Sequence, residues 1–170
     1  MTSIAPTFGG SLALRNFYRA VRQHLPSIAA VMAPVAVFAS RDTLAAQFAS
    51  DSWDVSAFYS AIFDWSSIQS AFLFGIYAFV LSRSEPFIKA IDGTATFENL
   101  RSYSRRTLYL TFALTLVSMP LAVTSPKPSS DLLSPALWIF AGLSSLASYT
   151  FCRFLKVVRV FGKIEGMRPR

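Results

Sequence analysis

LLSPALWIFAGLSSLASYTFC, residues 132–152, runs for 21 residues between Asp131 and Arg153 without a charged side chain. As a helix it would extend about 31 Å at about 1.5 Å per residue, which is enough to cross the hydrocarbon core of a bilayer. Helices of this length in water-soluble proteins normally carry a polar face, so lipid explains the run better than a protein core does. The stretch therefore predicts a protein that is integral to a membrane.

The composition favours the same class. Hydrophobic residues make up 53% of the 170 residues and charged residues only 15%, whereas about a quarter of the residues of a soluble domain are charged. Cys152 is the only cysteine and His24 the only histidine, so no intrachain disulfide and no cysteine-based metal cluster can form. We expect a single polytopic membrane domain over residues 1–170, with no metal and no cofactor.

Three further apolar runs predict spans at about 25–40, 57–82 and 107–126, in addition to 132–152. The run at 25–40 is the shortest, and a signal peptide is its alternative because Val37 and Ala39 fit a small-residue cleavage rule. Before it, residues 11–25 have the pattern of an amphipathic helix that lies in the headgroup layer, with Arg15, Arg19 and Arg22 on its polar side. Residues 1–10 indicate a loose tail.

The connecting segments carry their own signals. Pro26 is expected to break the first helix, and residues 41–54 to form a polar connector in which Asp51 caps the next helix. In the loop 83–106 we expect a short helix over 87–91, a turn at 92–93 and a new helix from about Thr96. Pro120 is expected to kink the third span, and the last helix to continue beyond the membrane to about Gly162.

The distribution of charge predicts the orientation. Four spans place both termini and the loop 83–106 on one side, and only Arg41 and Lys127 of the 16 Lys and Arg residues lie on the other. By the positive-inside rule the termini, the loop 83–106 and the basic tail 153–170 are cytoplasmic. The predicted fold is thus all-α: an integral membrane four-helix bundle with an N-terminal interfacial amphipathic helix and a cytoplasmic helical extension of the last span. A plasma membrane or bacterial inner membrane is the expected location.

Small and weakly polar side chains line one face of each of the last three spans, which is typical of helices that pack closely in lipid. On the second span this face contains Ser67, Ala71, Gly75 and Ala78. A sharper hypothesis is a water-filled path. Its candidate polar face consists of Asp64, Ser67, Gln69, Ser70, Gly75, Thr111 and Thr115. Asp64 has a simpler interpretation as an interfacial carboxylate that pairs with Arg41.

Basic side chains flank the first and last spans on the predicted cytoplasmic side and suit anionic lipid headgroups or an acidic protein. This candidate lipid- or partner-binding face consists of Arg15, Arg19, Arg22, Arg153, Lys156, Arg159 and Lys163. Nucleic acid is not the expected partner, because the chain has no aromatic-interleaved basic motif.

No motif indicates an enzyme: the chain has no HExxH, no glycine-rich phosphate loop and no carboxylate pair at one membrane depth. The first functional hypothesis is an anchoring, assembly or sensor subunit of a larger membrane system, for example a bacterial multi-protein system for defence or transport. The alternative is a homo-oligomeric pore or channel lined by small polar residues. The expected partners are the bilayer and either copies of the chain or other subunits.

Overall fold

The computed structural model of the protein describes residues 9–82 and 94–165, with side chains for 24–78, 94 and 97–162. Within those residues the chain forms five helices and no strand, which confirms the predicted all-α class. The helices are α1 (Gly9–Ala39), α2 (Arg41–Ala49), α3 (Val55–Ser82), α4 (Ala95–Thr124) and α5 (Pro135–Glu165).

Two of these helices are long and apolar enough to cross a membrane, over Phe97–Thr124 in α4 and Pro135–Gly162 in α5. The pair His24–Ala39 and Arg41–Ala49 also passes as apolar enough when taken together; it is bent by 66° and is either a broken span or a re-entrant loop. Helix α3 is not among the candidates over its described residues. The spans predicted at 25–40 and 57–82 therefore stay predictions.

Helix α1 runs through Pro26 without a break, so the predicted division into an interfacial helix and a separate span is wrong. Gly9 and Gly10 already belong to this helix, whereas the rest of the predicted tail, residues 1–8, lies outside the described residues. A proline inside a helix costs the hydrogen bond to the carbonyl four residues earlier. Where another helix supplies a donor to that carbonyl, the helix can continue.

The predicted connector 41–54 also differs from the structure, since most of it is helix α2. Asp51 does not cap α3: it has a positive φ of 53° and lies in the turn before the helix. The capping side chain is Asp54, whose Oδ1 accepts a 2.8 Å hydrogen bond from the Ser56 N–H. Both aspartates precede the apolar stripe of α3 at plausible spacing, so the sequence alone did not identify Asp54 as the cap.

Helix α4 begins one residue before the predicted start and is capped by Thr94, whose side chain accepts a hydrogen bond from the Phe97 N–H. The helix contains Pro120 and ends at Thr124. Helix α5 continues through Gly162 to Glu165, beyond the predicted stop. The predicted short helix at 87–91 and the turn at 92–93 lie outside the described residues.

The long helices pack side by side in the order α3, α4, α5, α1. Helix α4 lies against both α3 and α5, while α1 makes its extensive contacts with α5. Helices α1 and α3 therefore lie at opposite ends of this row, without extensive contact with each other. This row of helices is more open than the predicted four-helix bundle.

Buried apolar side chains form two separate clusters. The larger, which we call the first cluster, consists of Val37, Phe48, Val55, Tyr59, Leu114, Leu137, Phe140, Ala141 and Leu143. The second cluster consists of Leu73, Ile76, Leu100 and Val157. Much of the apolar surface stays uncovered, since only 22% of the membrane-length window of α4 and 28% of that of α5 are buried. An apolar exterior of this extent is what a bilayer would solvate.

Candidate functional site

A layer of buried polar side chains separates the two apolar clusters. On α3 it lies between Tyr59 and Leu73, on α4 between Leu100 and Leu114, and on α5 between Leu143 and Val157. We call it the polar layer; it consists of Ser66, Gln69, Ser70, Ser104, Thr107, Thr111 and Thr150. An apolar cluster on each side isolates these polar groups from both ends of the protein.

Two hydroxyl pairs connect α3 to α4 across this layer. The Ser70 hydroxyl donates to Thr111 Oγ1 at 3.1 Å, and the Thr115 hydroxyl donates to Ser66 Oγ at 2.8 Å. The Thr107 hydroxyl bonds within its own helix and donates to the Tyr103 carbonyl at 2.7 Å. Hydroxyls that bond to helix carbonyls or to each other are compatible with a low-dielectric interior.

Ser104 and Gln69 are the exceptions in the polar layer, Ser104 because its Oγ is buried without a hydrogen-bond partner among the described residues. Gln69 leaves a whole amide unpaired. Its side chain is only 1% exposed, and neither Nε2 nor Oε1 has a hydrogen-bond partner in the described part of the chain. A buried amide without partners costs about 1–3 kcal/mol relative to a satisfied one. Such a group is unusual in a folded protein and indicates either an exchangeable partner or a functional constraint.

The direction of Gln69 follows from its neighbours on α3. Trp65 and Phe72, on one side of it, contact rings of α5, with centroid distances of 5.7 Å to Phe151 and 5.4 Å to Phe154. Ser66 and Ser70, on the other side, bond to α4. Gln69 occupies the helical position between these two faces, so its amide is directed at the junction of α3, α4 and α5.

The structure divides the predicted polar face of α3 into two opposite sides. Gln69 and Ser70 are buried with Thr111, and Thr115 is half-buried beside Ser66. Asp64 and Gly75 are exposed on the outward side, and Ser67 is half-exposed there. Gly75 has nothing within 4 Å of the position that a Cβ would occupy. A single lumen within one chain cannot therefore contain all seven predicted residues.

The predicted pairing of Asp64 with Arg41 is wrong. The guanidinium of Arg41 lies 3.7 Å from the carboxylate of its neighbour Asp42. Asp64 is exposed and makes no ion pair or hydrogen bond with the part of the chain that the structure describes. Along α3, Asp64 lies two residues before Ser66, which bonds to Thr115 of α4.

Arg153 of the predicted basic face is held within the protein. Its Nη1 donates to the Tyr149 hydroxyl at 2.8 Å, and its guanidinium lies 5.6 Å from the ring centroid of Tyr103 and 5.5 Å from that of Tyr149. These contacts join α4 to α5 and leave Arg153 half-buried. Lys156 is also half-buried and Arg159 is exposed. The side chains of Arg15, Arg19, Arg22 and Lys163 lie outside the described ones.

Four members of the polar layer are absent from the predicted set: Ser66, Ser104, Thr107 and Thr150. Ser66 precedes Ser70 by four residues, and this helical spacing is the sequence signal that places both on one face. For Thr150 no comparable signal exists, because its burial depends on which side of α5 contacts α3 and α4.

At the end of the molecule that contains α2, the connectors are tied together. Lys127 Nζ lies 2.7 Å from Asp51 Oδ1, and the Tyr59 hydroxyl donates to the Pro126 carbonyl at 3.2 Å. Lys127 lowers the pKa of Asp51 below its ordinary value of 3.8, chiefly by its hydrogen bond and secondly by its charge. These contacts join the turn before α3 to the segment between α4 and α5.

The chain matches no protein-family model, no curated protein and no solved structure. Among the described residues, no three His, Cys, Asp or Glu side chains are grouped so as to hold a metal ion. The class that the fold and the site define is therefore an all-helical protein with two membrane-length helices and a buried polar layer.

Proposed function

We propose that the protein is a multi-pass membrane protein that anchors or assembles a larger membrane complex. It crosses a plasma membrane or bacterial inner membrane four times, as a four-helix unit with both termini in the cytoplasm. The apolar exterior of α4 and α5 and the one-sided distribution of Lys and Arg support this orientation. A sensor subunit of the same complex would contact the other subunits through the same surface.

The outward face of α3 is the observation that carries the proposal. Its members are small or polar, and none is buried by the described helices: Ser60, Asp64, Ser67, Ala71, Gly75 and Ala78. They recur at intervals of three or four residues, so they share one side of the helix. In a bilayer, small-xxx-small faces of this kind allow the backbone of a second helix to approach closely.

Lipid tails solvate this face poorly. They form no hydrogen bonds with Asp64 or Ser67, and they fill the shallow groove at Gly75 less completely than a fitted helix does. A neighbouring transmembrane helix satisfies both requirements. We therefore assign the outward face of α3 as the surface that joins the protein to its complex.

Native mass spectrometry of the detergent-extracted protein, isolated from its own membrane, tests this assignment. Gly75→Leu fills the groove and is expected to remove the associated subunits, while it leaves the protein itself folded because the space beside Gly75 is open. Gly142→Leu is the matched control, since Gly142 is exposed on α5 and also has nothing within 4 Å of its Cβ position. Retention of all subunits by the Gly75→Leu variant contradicts the proposal.

A second candidate function is a homo-oligomeric pore, which the position of Asp64 favours. Asp64 and Ser67 lie on the outward face of α3, so a lumen between copies of the chain contains these residues rather than Gln69. Carboxylates at a pore lining select cations. Liposomes that contain the purified protein are then expected to leak a monovalent cation, and Asp64→Asn is expected to reduce the leak. Tight liposomes together with a stable co-purifying subunit favour the anchor.

A further inference from the structure

A pocket of about 580 Å³ lies at the α2 end of the molecule, between the last turn of α1, helix α2, the turn before α3, and α5. Small-molecule sites in proteins typically have volumes of about 300–1,000 Å³. The lining residues are mainly apolar and aromatic. Six of them are Phe48, Trp53, Asp54, Phe58, Phe140 and Ser144.

Residues of both α1 and α3 line the pocket, and these two helices have no extensive contact with each other. Helix α5 contributes Phe140 and Ser144 to the lining, and α2, which is bent by 66° from α1, contributes Phe48. In the orientation proposed above, an apolar chain that lies between α1 and α3 reaches the bilayer.

Aromatic rings form one wall of the pocket. Phe140 is their common neighbour, with centroid distances of 4.5 Å to Phe58 and 5.8 Å to Phe48, and Trp53 lies 5.9 Å from Phe48. The turn that carries Trp53 is fixed by Gln47, because the Ser52 hydroxyl donates to Gln47 Oε1 at 2.6 Å. A fixed group of rings presents π faces that attract cations.

Asp54 is the one charged residue among those that line the pocket. Its Oδ1 accepts the hydrogen bond that caps α3, and the carboxylate is exposed. Two cations at this end of the molecule contact other carboxylates: Arg41 lies 3.7 Å from Asp42, and Lys127, which shares a neighbouring pocket with Asp54, lies 2.7 Å from Asp51. The lining of the pocket itself therefore carries one formal negative charge, which disfavours a phosphate group and favours a cation.

We propose that this pocket binds an amphiphile with a single cationic head group and an apolar tail. The head group lies between the Asp54 carboxylate and the aromatic wall, where Coulomb attraction and cation–π attraction act together. The tail lies between α1 and α3 over Ser144. Zwitterionic and anionic phospholipids bind more weakly, because their phosphate approaches Asp54 without a compensating cation in the pocket.

Fluorescence of Trp53 in the purified full-length protein tests the proposal. With Trp65 and Trp138 replaced by Phe, Trp53 is the remaining tryptophan, and a dodecyltrimethylammonium probe brominated on its tail is expected to quench it saturably. A brominated neutral dodecyl amphiphile and a brominated dodecylphosphocholine are expected to bind at least about tenfold more weakly. Equal, saturable quenching by all three probes overturns the proposal.

Substitution of Asp54 separates its charge from its capping role. Asp54→Asn and Asp54→Ser both keep an oxygen that accepts the Ser56 N–H, so α3 keeps its cap while the pocket loses its charge. Both variants are expected to weaken binding of the cationic probe about tenfold and to leave binding of the neutral probe unchanged. Asp42→Asn, which removes an exposed carboxylate outside the pocket, is the control. Unchanged affinity in both Asp54 variants overturns the proposal.

Discussion

The hydroxyl of Ser145 on α5 donates a 2.6 Å hydrogen bond to the carbonyl of Ala30 on α1. In a regular helix this carbonyl would accept from residue 34, but residue 34 is a proline and has no N–H. Ser145 therefore satisfies the acceptor that Pro34 leaves open. The contact explains how a proline persists inside α1, and it also fixes the register between α1 and α5.

Replacement of Ser145 by Ala is expected to destabilise the protein by about 1–3 kcal/mol, because the Ala30 carbonyl loses its donor in an apolar environment. Reversible unfolding by SDS in mixed micelles, followed by circular dichroism, measures this loss. Pro34→Ala restores the backbone N–H, so Ser145→Ala should cost much less in that background. An equal loss of unfolding free energy in the two backgrounds would show that the Ser145 hydroxyl does not compensate for the N–H that Pro34 lacks.

Gln69→Leu is expected to stabilise the protein by about 1–3 kcal/mol, because it removes two buried polar atoms without partners and keeps a similar volume. The same unfolding assay measures the change. Ser70→Ala is the matched control on the same face; it should destabilise, since its hydroxyl bonds to Thr111. A loss of stability in Gln69→Leu would reveal that water or another group satisfies the amide.

The hydroxyl pair Ser66–Thr115 is expected to contribute a coupling free energy of about 0.6 kcal/mol, the average for interhelical hydrogen bonds measured by double-mutant cycles in a membrane protein. The cycle uses Ser66→Ala, Thr115→Val and the double variant in the unfolding assay. Thr124→Val provides the comparison, because the Thr124 hydroxyl bonds only to a carbonyl of its own helix. Its effect should add to that of Ser66→Ala without coupling.

The ion pair of Asp51 with Lys127 predicts a dependence of stability on pH. Because the pKa of Asp51 is lowered from 3.8 in the folded protein, its contribution is present above pH 3.8 and is lost as the pH falls through the lower, folded value. The unfolding midpoint of the wild type relative to Asp51→Asn, measured from pH 6 to pH 2, should therefore fall toward acid pH. Asn tolerates the positive φ at this position. A constant difference would exclude the ion pair as its source.

The sequence predicted α4 and α5 well because their apolar runs are long and free of charge, and Thr94 supplies a cap close to the predicted start. The predicted break at Pro26 is wrong because α1 is continuous there. The contact that compensates the other proline, Pro34, was not predictable from local sequence, because its donor comes from a residue 115 positions away. A proline breaks or kinks a helix unless a donor from elsewhere in the structure satisfies the freed carbonyl, and the local sequence does not show that donor.

The candidate site was predicted in part. Gln69, Ser70 and Thr111 are brought together, but Ser67 and Gly75 lie on the other side of the same helix. Helical geometry alone separates Ser67 from Gln69, since two residues along a helix point in nearly opposite directions. Which of the two sides faces α4 depends on long-range packing, which neither periodicity nor composition contains.

The separation of Ser145 from Ala30 in the sequence has a consequence for biogenesis. Helix α1 is synthesised before α5, yet its extensive contacts are with α5. Helices α3 and α4 are close in the chain and can form their hairpin while synthesis continues. In the orientation proposed above, α1 therefore stays in the translocon or in the lipid beside it until α5 has been synthesised.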